Sequence, residues 1–155
     1  VMKLDSDEAV KQFLLGYTAK VAGTEKGVTE PQATFSPCFG LPFMPRNPKL
    51  YGHKLKALIE YSAADCWLVN TGWSGGPYGT GERMPINVTR NIISYIHDGS
   101  LAKCPTTIHS PTGFTIPLHS GIGLKYLKPE TSWKAREDYD KKLFELLAKF
   151  EEQGS

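Results

Sequence analysis

CWLVNTGWSGGPYGTGERMPINVTRNIISYIHDGSL, residues 66–101, decides how this chain of 155 residues is read. Cys66-Trp67-Leu68-Val69-Asn70 is a short apolar run ended by Asn70-Thr71-Gly72, which predicts a strand covered on both faces. Gly72, Gly75, Gly76, Gly79 and Gly81 follow, around Pro77 and Tyr78, at a density that admits positive φ and a close approach of backbone to ligand. An amphipathic helix comes next, with Asn87 as expected N-cap, Ile92, Ile93 and Ile96 as apolar stripe and Asp98-Gly99 as stop. Strand, glycine loop and helix in that order bring backbone donors to a ligand, often a nucleotide. A plain surface turn is the other reading of the loop.

The loop is not a Walker P-loop, because Gly81 is followed by Glu82 and Arg83 where lysine and a hydroxyl are needed to hold phosphate and magnesium. No GxGxxG register fits either. Arg83 ends the loop, where a guanidinium can fork onto phosphate or stack on a purine, or else form a surface salt bridge. Thr89 falls in the first helical turn, placed to meet a ligand or to serve as a cap or packing residue.

Three stretches, GYTAKVAGTE (Gly16 to Glu25), TEPQATFSPCFG (Thr29 to Gly40) and LVNTGWSGGPYGTGERM (Leu68 to Met84), closely resemble the ATP-dependent phosphoenolpyruvate carboxykinases. The similarity runs on through HDGSL and weakens beyond Lys103; it covers most of the chain and about the last third of the family's usual length. The resemblance implies an α/β fold: the C-terminal part of the carboxykinase mononucleotide-binding domain, a mixed sheet with flanking helices, ending in a long amphipathic helix. Residues 1–155 would then be a single partial domain. In the family, the arginine and following residue of a Gly-Lys-Arg-Ile segment, and a threonine shortly after, contact ATP; they match Arg83, Met84 and Thr89. Two departures stand out. The family's lysine is Glu82, which reverses a charge beside a polyphosphate site, and its isoleucine is Met84, a milder apolar exchange.

The family converts oxaloacetate and ATP to phosphoenolpyruvate, ADP and carbon dioxide, a gluconeogenic reaction, using magnesium and manganese. Its P-loop, paired aspartates, manganese-binding lysine and histidine and substrate arginines belong to the preceding part, and none of those motifs occurs between Val1 and Ser155. Phosphoryl transfer rests on positioning and charge neutralisation. The chain alone is therefore expected to be inactive, with no catalytic and no metal-binding residue of its own. Its expected partners are ATP or ADP and the missing N-terminal portion, whether in the same polypeptide or a separate chain. A noncatalytic nucleotide- or partner-binding remnant of the same fold is the alternative.

Bulk properties agree with part of a cytoplasmic enzyme. A net charge of +2 with 22% charged residues gives no electrostatic case for nucleic acid or a membrane surface, and no apolar run is long enough to span a bilayer. Cys38, Cys66 and Cys104 lack zinc or redox spacing. His53, His97, His109 and His119 show no pairing on a helix face, which points to surface or hydrogen-bonded histidines rather than metal ligands.

In chain order, Val1-Met2 in place of an initiator methionine points to a piece of something longer. Asp5 and Glu8 have capping-box spacing before a helix from about Ser6 to Tyr17, with Ala9, Phe13 and Leu14 inward. Gly23 to Gly40 reads as irregular, with Lys20, Thr24, Glu25, Lys26, Thr29 and Glu30 as a solvated face or a segment near a cleft. A second helix, Pro48 to Tyr61, places Leu50, Leu55, Leu58 and Ile59 on its apolar face. Phe114-Thr115-Ile116 is expected as a short strand. From Glu130 to Gln153 the helical spacing of Trp133, Tyr139, Leu143, Leu146, Leu147 and Phe150 predicts a long helix docked by its aromatic face, or else an exposed interaction helix.

Overall fold

The computed structural model describes residues 1–20 and 32–154. In chain order its elements are β1 (Met2–Leu4), α1 (Ser6–Leu15), β2 (Tyr17–Lys20), β3 (Gln32–Phe35), α2 (Pro48–Ser62), β4 (Cys66–Leu68), β5 (Trp73–Ser74) and β6 (Glu82–Arg83). There follow α3 (Ile86–His97), α4 (Ser100–Lys103), β7 (Thr106–Ile108), β8 (Thr115–Pro117), α5 (Leu124–Leu127) and α6 (Arg136–Gly154). Mixed helices and sheet with a long terminal helix confirm the α/β class. The chain divides into two units: Val1–Leu4 with Trp67–Leu143, and Asp5–Cys66 with Phe144–Ser155.

The first unit is built on a sheet of order β4-β1-β8-β7. β8 runs antiparallel to β1 (Lys3 opposite Thr115) and to β7 (Thr107 opposite Ile116). Its core is Ile92, Leu101, Ile116, Ile122 and Leu127, with Val88, Ile96, Met84 and Trp67 packed around them. Val88, Ile92 and Ile96 recur every four residues and form one stripe of α3. Two expectations need correction here. Ile93 is 40% exposed, because it sits one position off that stripe. The N-cap of α3 is Pro85, not Asn87: the proline's fixed, extended backbone starts the helix, and its carbonyl accepts from the N–H groups of Val88 and Thr89. The strand after Asp65 is also shorter than expected, and Cys66, Trp67 and Leu68 are half-buried rather than covered on both faces, since β4 lies at the edge of this sheet.

His109, in the turn between β7 and β8, is buried, and both ring nitrogens are engaged: Nδ1 with Thr112 Oγ1 at 2.7 Å and Nε2 with the Tyr139 hydroxyl at 2.9 Å. Desolvation holds its imidazole below the usual histidine range, and burial pushes the Tyr139 phenol up to about 12. The helix expected from Glu130 begins only at Arg136; Pro129–Thr131 forms a 3-10 turn first, and Trp133 precedes the helix while packing edge-on against Tyr139.

The second unit pairs α1 with α2. Asp5 and Glu8 form the expected capping box, each side chain accepting from the other's backbone N–H. α1 ends earlier than expected, at Leu15, because Gly16 turns left-handed (φ 55°). That glycine is required: a Cβ on it would lie 1.7 Å from the Ser36 carbonyl oxygen. Gln12 and Leu15, rather than Ala9, Phe13 and Leu14, are the most buried residues of α1. On α2 the apolar face is rotated from the expected one. Leu50 and Leu58 are 53% and 54% exposed, whereas Gly52 is buried and approaches α1 so closely that a Cβ would sit 3.2 Å from Leu14 and Val10. Lys56 ion-pairs with Asp7 across the two helices.

An unforeseen strand pair, β2 with β3 antiparallel, Tyr17 opposite Phe35, places β3 within the stretch expected to be irregular. Those two rings meet Phe150 of α6 at centroid distances of 5.1 and 6.0 Å, so the end of α6 docks by an aromatic face. Thr24, Glu25, Lys26, Thr29 and Glu30, and the side chain of Lys20, lie outside the described residues.

Because folding depresses the His109 pKa, the unfolded chain takes up the proton more readily. The histidine's contribution is full above its ordinary value near 6.5 and is lost as pH falls through the depressed folded value. Thermal unfolding followed by circular dichroism should show a lower midpoint at pH 5 than at pH 7, with the drop reduced in His109→Gln. An equal drop in both proteins would contradict the role of this imidazole.

Candidate functional site

The glycine-rich stretch folds into a two-stranded antiparallel ribbon, Trp73 opposite Arg83 and Ser74 opposite Glu82. Residues 75–81 make its tip. Gly75, Gly76 and Gly79 have φ of 77°, 156° and 85°, and the amides of Thr80 and Gly81 both donate to the Pro77 carbonyl. Gly81 is required for a different reason. Its Cβ position is 2.4 Å from the Gly76 carbonyl oxygen and 2.7 Å from that of Ser74. At the base, Gly72 donates to Asn70 Oδ1 (2.9 Å) and its carbonyl accepts from Met84 N–H (2.9 Å).

Strand alternation gives the ribbon two chemically different faces. Ser74 and Glu82 share one. There Ser74 Oγ donates to the Lys125 carbonyl (3.3 Å) and meets Ser132 Oγ (3.2 Å), Gly75 lies against the Ser132 backbone, and Glu82 pairs with Lys125 Nζ at 3.8 Å. This ion pair is solvent-exposed and contributes little by itself. Trp73 and Arg83 share the other face. Arg83 is exposed, and among the described residues none pairs with its guanidinium. The surface salt bridge considered for Arg83 is therefore absent from the described residues.

Arg83, Met84 and Thr89 lie on one continuous run from β6 into α3, in three settings. Arg83 points outward. Met84, the next residue, is half-buried against the Ile92 core cluster. Its side chain serves packing, and its N–H is taken by Gly72. Thr89 is half-buried in the first turn of α3, its N–H donating to Pro85. Pro85 makes no side-chain cap; its carbonyl takes the N–H groups of Val88 and Thr89, and those of Ile86 and Asn87, at the positive end of the α3 dipole, meet no capping side chain from it. A guanidinium, a glycine-lined ribbon and an uncapped helix start can together hold an anion such as a nucleotide phosphate.

Glu82 is the informative departure. Register turns it away from Arg83, toward Lys125, so the reversed charge lies on the anchored face of the ribbon. Sequence reading missed Lys125 and Ser132, because a contact across some 50 residues leaves no local signal, and missed Trp73 as the cross-strand neighbour of Arg83 because strands of two residues are too short to show alternation. Among the described residues no three His, Cys, Asp or Glu side chains converge as a metal site requires. No helix among them is long and apolar enough to cross a membrane.

Comparison with known proteins is consistent along the chain. The family model of phosphoenolpyruvate carboxykinase matches residues 1–122. "Phosphoenolpyruvate carboxykinase (ATP)" of Sinorhizobium fredii is 51% identical over 151 residues, 97% of this chain and 28% of the relative. The proteins of the same name from Sinorhizobium medicae and Chelativorans sp. have the same identity and coverage. The chain spans 28% of the length of these curated relatives.

The two kinds of glycine constraint in the ribbon separate experimentally. Gly81→Ala should disrupt the ribbon and abolish the near-ultraviolet circular dichroism of its aromatic pair, Trp73 and Tyr78. Gly79→Ala meets open space and only its positive φ opposes it, at about 1–2 kcal/mol, so the signal should survive with a lower melting temperature. Equal loss in both variants would mean that strain alone, and not the close approach at Gly81, shapes the tip.

Proposed function

The chain belongs to the ATP-dependent phosphoenolpyruvate carboxykinase family, and from that premise we propose that it is the nucleotide-contacting C-terminal part of such an enzyme. In this reading residues 1–155 form one partial nucleotide-binding domain. Arg83 takes a phosphate or the base of ATP, the backbone around Met84 and the first turn of α3 at Thr89 complete the contact, and the side chain of Met84 holds the run against the core. The observation that carries the reading is the exposed Arg83 guanidinium, without a partner among the described residues, at the head of a helix whose start is uncapped.

In this reading the whole protein converts oxaloacetate and ATP to phosphoenolpyruvate, ADP and carbon dioxide, within the cytoplasm and in gluconeogenesis. Magnesium and manganese would act in the complete enzyme. The described residues offer no three-ligand group for either ion. Its own residues bind and orient the nucleotide; the phosphate-cradling loop and the substrate-binding cations come from the remaining portion of the enzyme. Glu82, turned to Lys125, does not oppose the phosphates directly.

The test is an assay of phosphoenolpyruvate formation from oxaloacetate and ATP with both metals. It is run on the chain alone and after addition of the unmatched portion of the Sinorhizobium fredii relative. Activity only in the mixture is expected; turnover by the pure chain, or none from a demonstrated complex, would overturn the reading. In the active mixture Arg83→Ala should weaken ATP binding about tenfold to a hundredfold, the loss of a charge-assisted contact of about 1.5–3 kcal/mol, with an unchanged melting temperature. Unchanged ATP affinity would remove Arg83 from the site.

A further inference from the structure

Trp73 and Tyr78 stand open on the same ribbon, 40% and 46% exposed, and meet edge to face with centroids 5.1 Å apart and planes at 81°. The register sets Trp73 directly across from Arg83, so that a cation lies next to this aromatic pair. The opposite face is fastened to Lys125 and Ser132, which leaves the side bearing Trp73 and Arg83 to present outward. The open indole of Trp73, held edge to face by Tyr78, and a guanidinium without a partner among the described residues suit a flat heteroaromatic ring joined to a phosphate.

We propose that Trp73 forms a stacking platform for the purine ring of the nucleotide, braced edge to face by Tyr78, with Arg83 beside it on the phosphate or the ring edge. The proposal deepens the nucleotide reading above and rests on it. Stacking responds to ring area rather than to edge groups, so the platform adds affinity for purines over pyrimidines and leaves the distinction between adenine and guanine to other contacts.

The experiment is a titration of the purified chain with ATP, adenosine and inorganic tripolyphosphate, followed by NMR. The chain has three tryptophans, and the indole N–H signals of Trp67 and Trp133 serve as internal references for that of Trp73. ATP and adenosine should shift the Trp73 signal, and tripolyphosphate should not. Trp73→Ala should weaken adenosine binding about tenfold and Trp73→Phe should restore most of it, both variants keeping the far-ultraviolet circular dichroism of the parent. If ATP shifts the Arg83 and Thr89 amides but leaves the Trp73 indole unmoved, the platform is refuted while the nucleotide site stands. If ATP shifts none of them, the site itself fails and the platform with it.

Discussion

Ile92 is completely enclosed, and the placement of the site depends on that burial. Closing Ile92 against Leu101, Ile116, Ile122 and Leu127 fixes α3 against the sheet. A fixed α3 fixes Pro85, and Met84, packed into the same cluster, is pinned immediately before it. Met84 N–H then bonds Gly72, which closes the base of the ribbon. With Met84 turned inward, strand alternation turns Arg83 outward. The direction of the Arg83 guanidinium is in this sense a consequence of apolar burial nearby, not of any attraction acting on the arginine.

The ribbon also separates two electrostatic tasks that the linear sequence sets side by side. Glu82 and Arg83 are adjacent and of opposite charge, and on a loose loop they could neutralise each other. On a strand they cannot share a face. Glu82 is drawn to Lys125, whose ammonium also lies 5.0 Å above the Tyr126 ring, and Arg83 is left with solvent. The negative charge of Glu82 is thus kept on the face of the ribbon opposite Arg83.

Helices were largely legible in the sequence because their signals are local. The capping box at Asp5 and Glu8, Asn47-Pro48 at the start of α2 and the 3.6-residue spacing in α3 and α6 each act within one or two turns. Which face of α2 is buried was not legible, because a glycine, Gly52, makes the closest approach, and glycine carries no apolar signal. The small strands β1, β2, β3 and β7 were missed, since strands of three or four residues are defined by partners distant in sequence rather than by their own pattern. The glycine-rich loop between β4 and α3 was legible through its glycines, but its two-faced geometry was not. It depends on a register set by residues eight and ten positions apart and on an anchor some fifty residues downstream.

A two-stranded ribbon with two residues in each strand has too few hydrogen bonds to stand alone. Here the face bearing Ser74 and Glu82 supplies what the strands lack, through its contacts with Lys125 and Ser132. Holding the shape and meeting the outside world are therefore assigned to alternate residues of the same few positions. Genetic drift at Trp73, Tyr78 or Arg83 would alter what the ribbon encounters without dismantling it, while drift at Ser74 or Gly81 would act on the scaffold itself. That gives this short loop a way to explore new binding preferences one substitution at a time, from an architecture that persists.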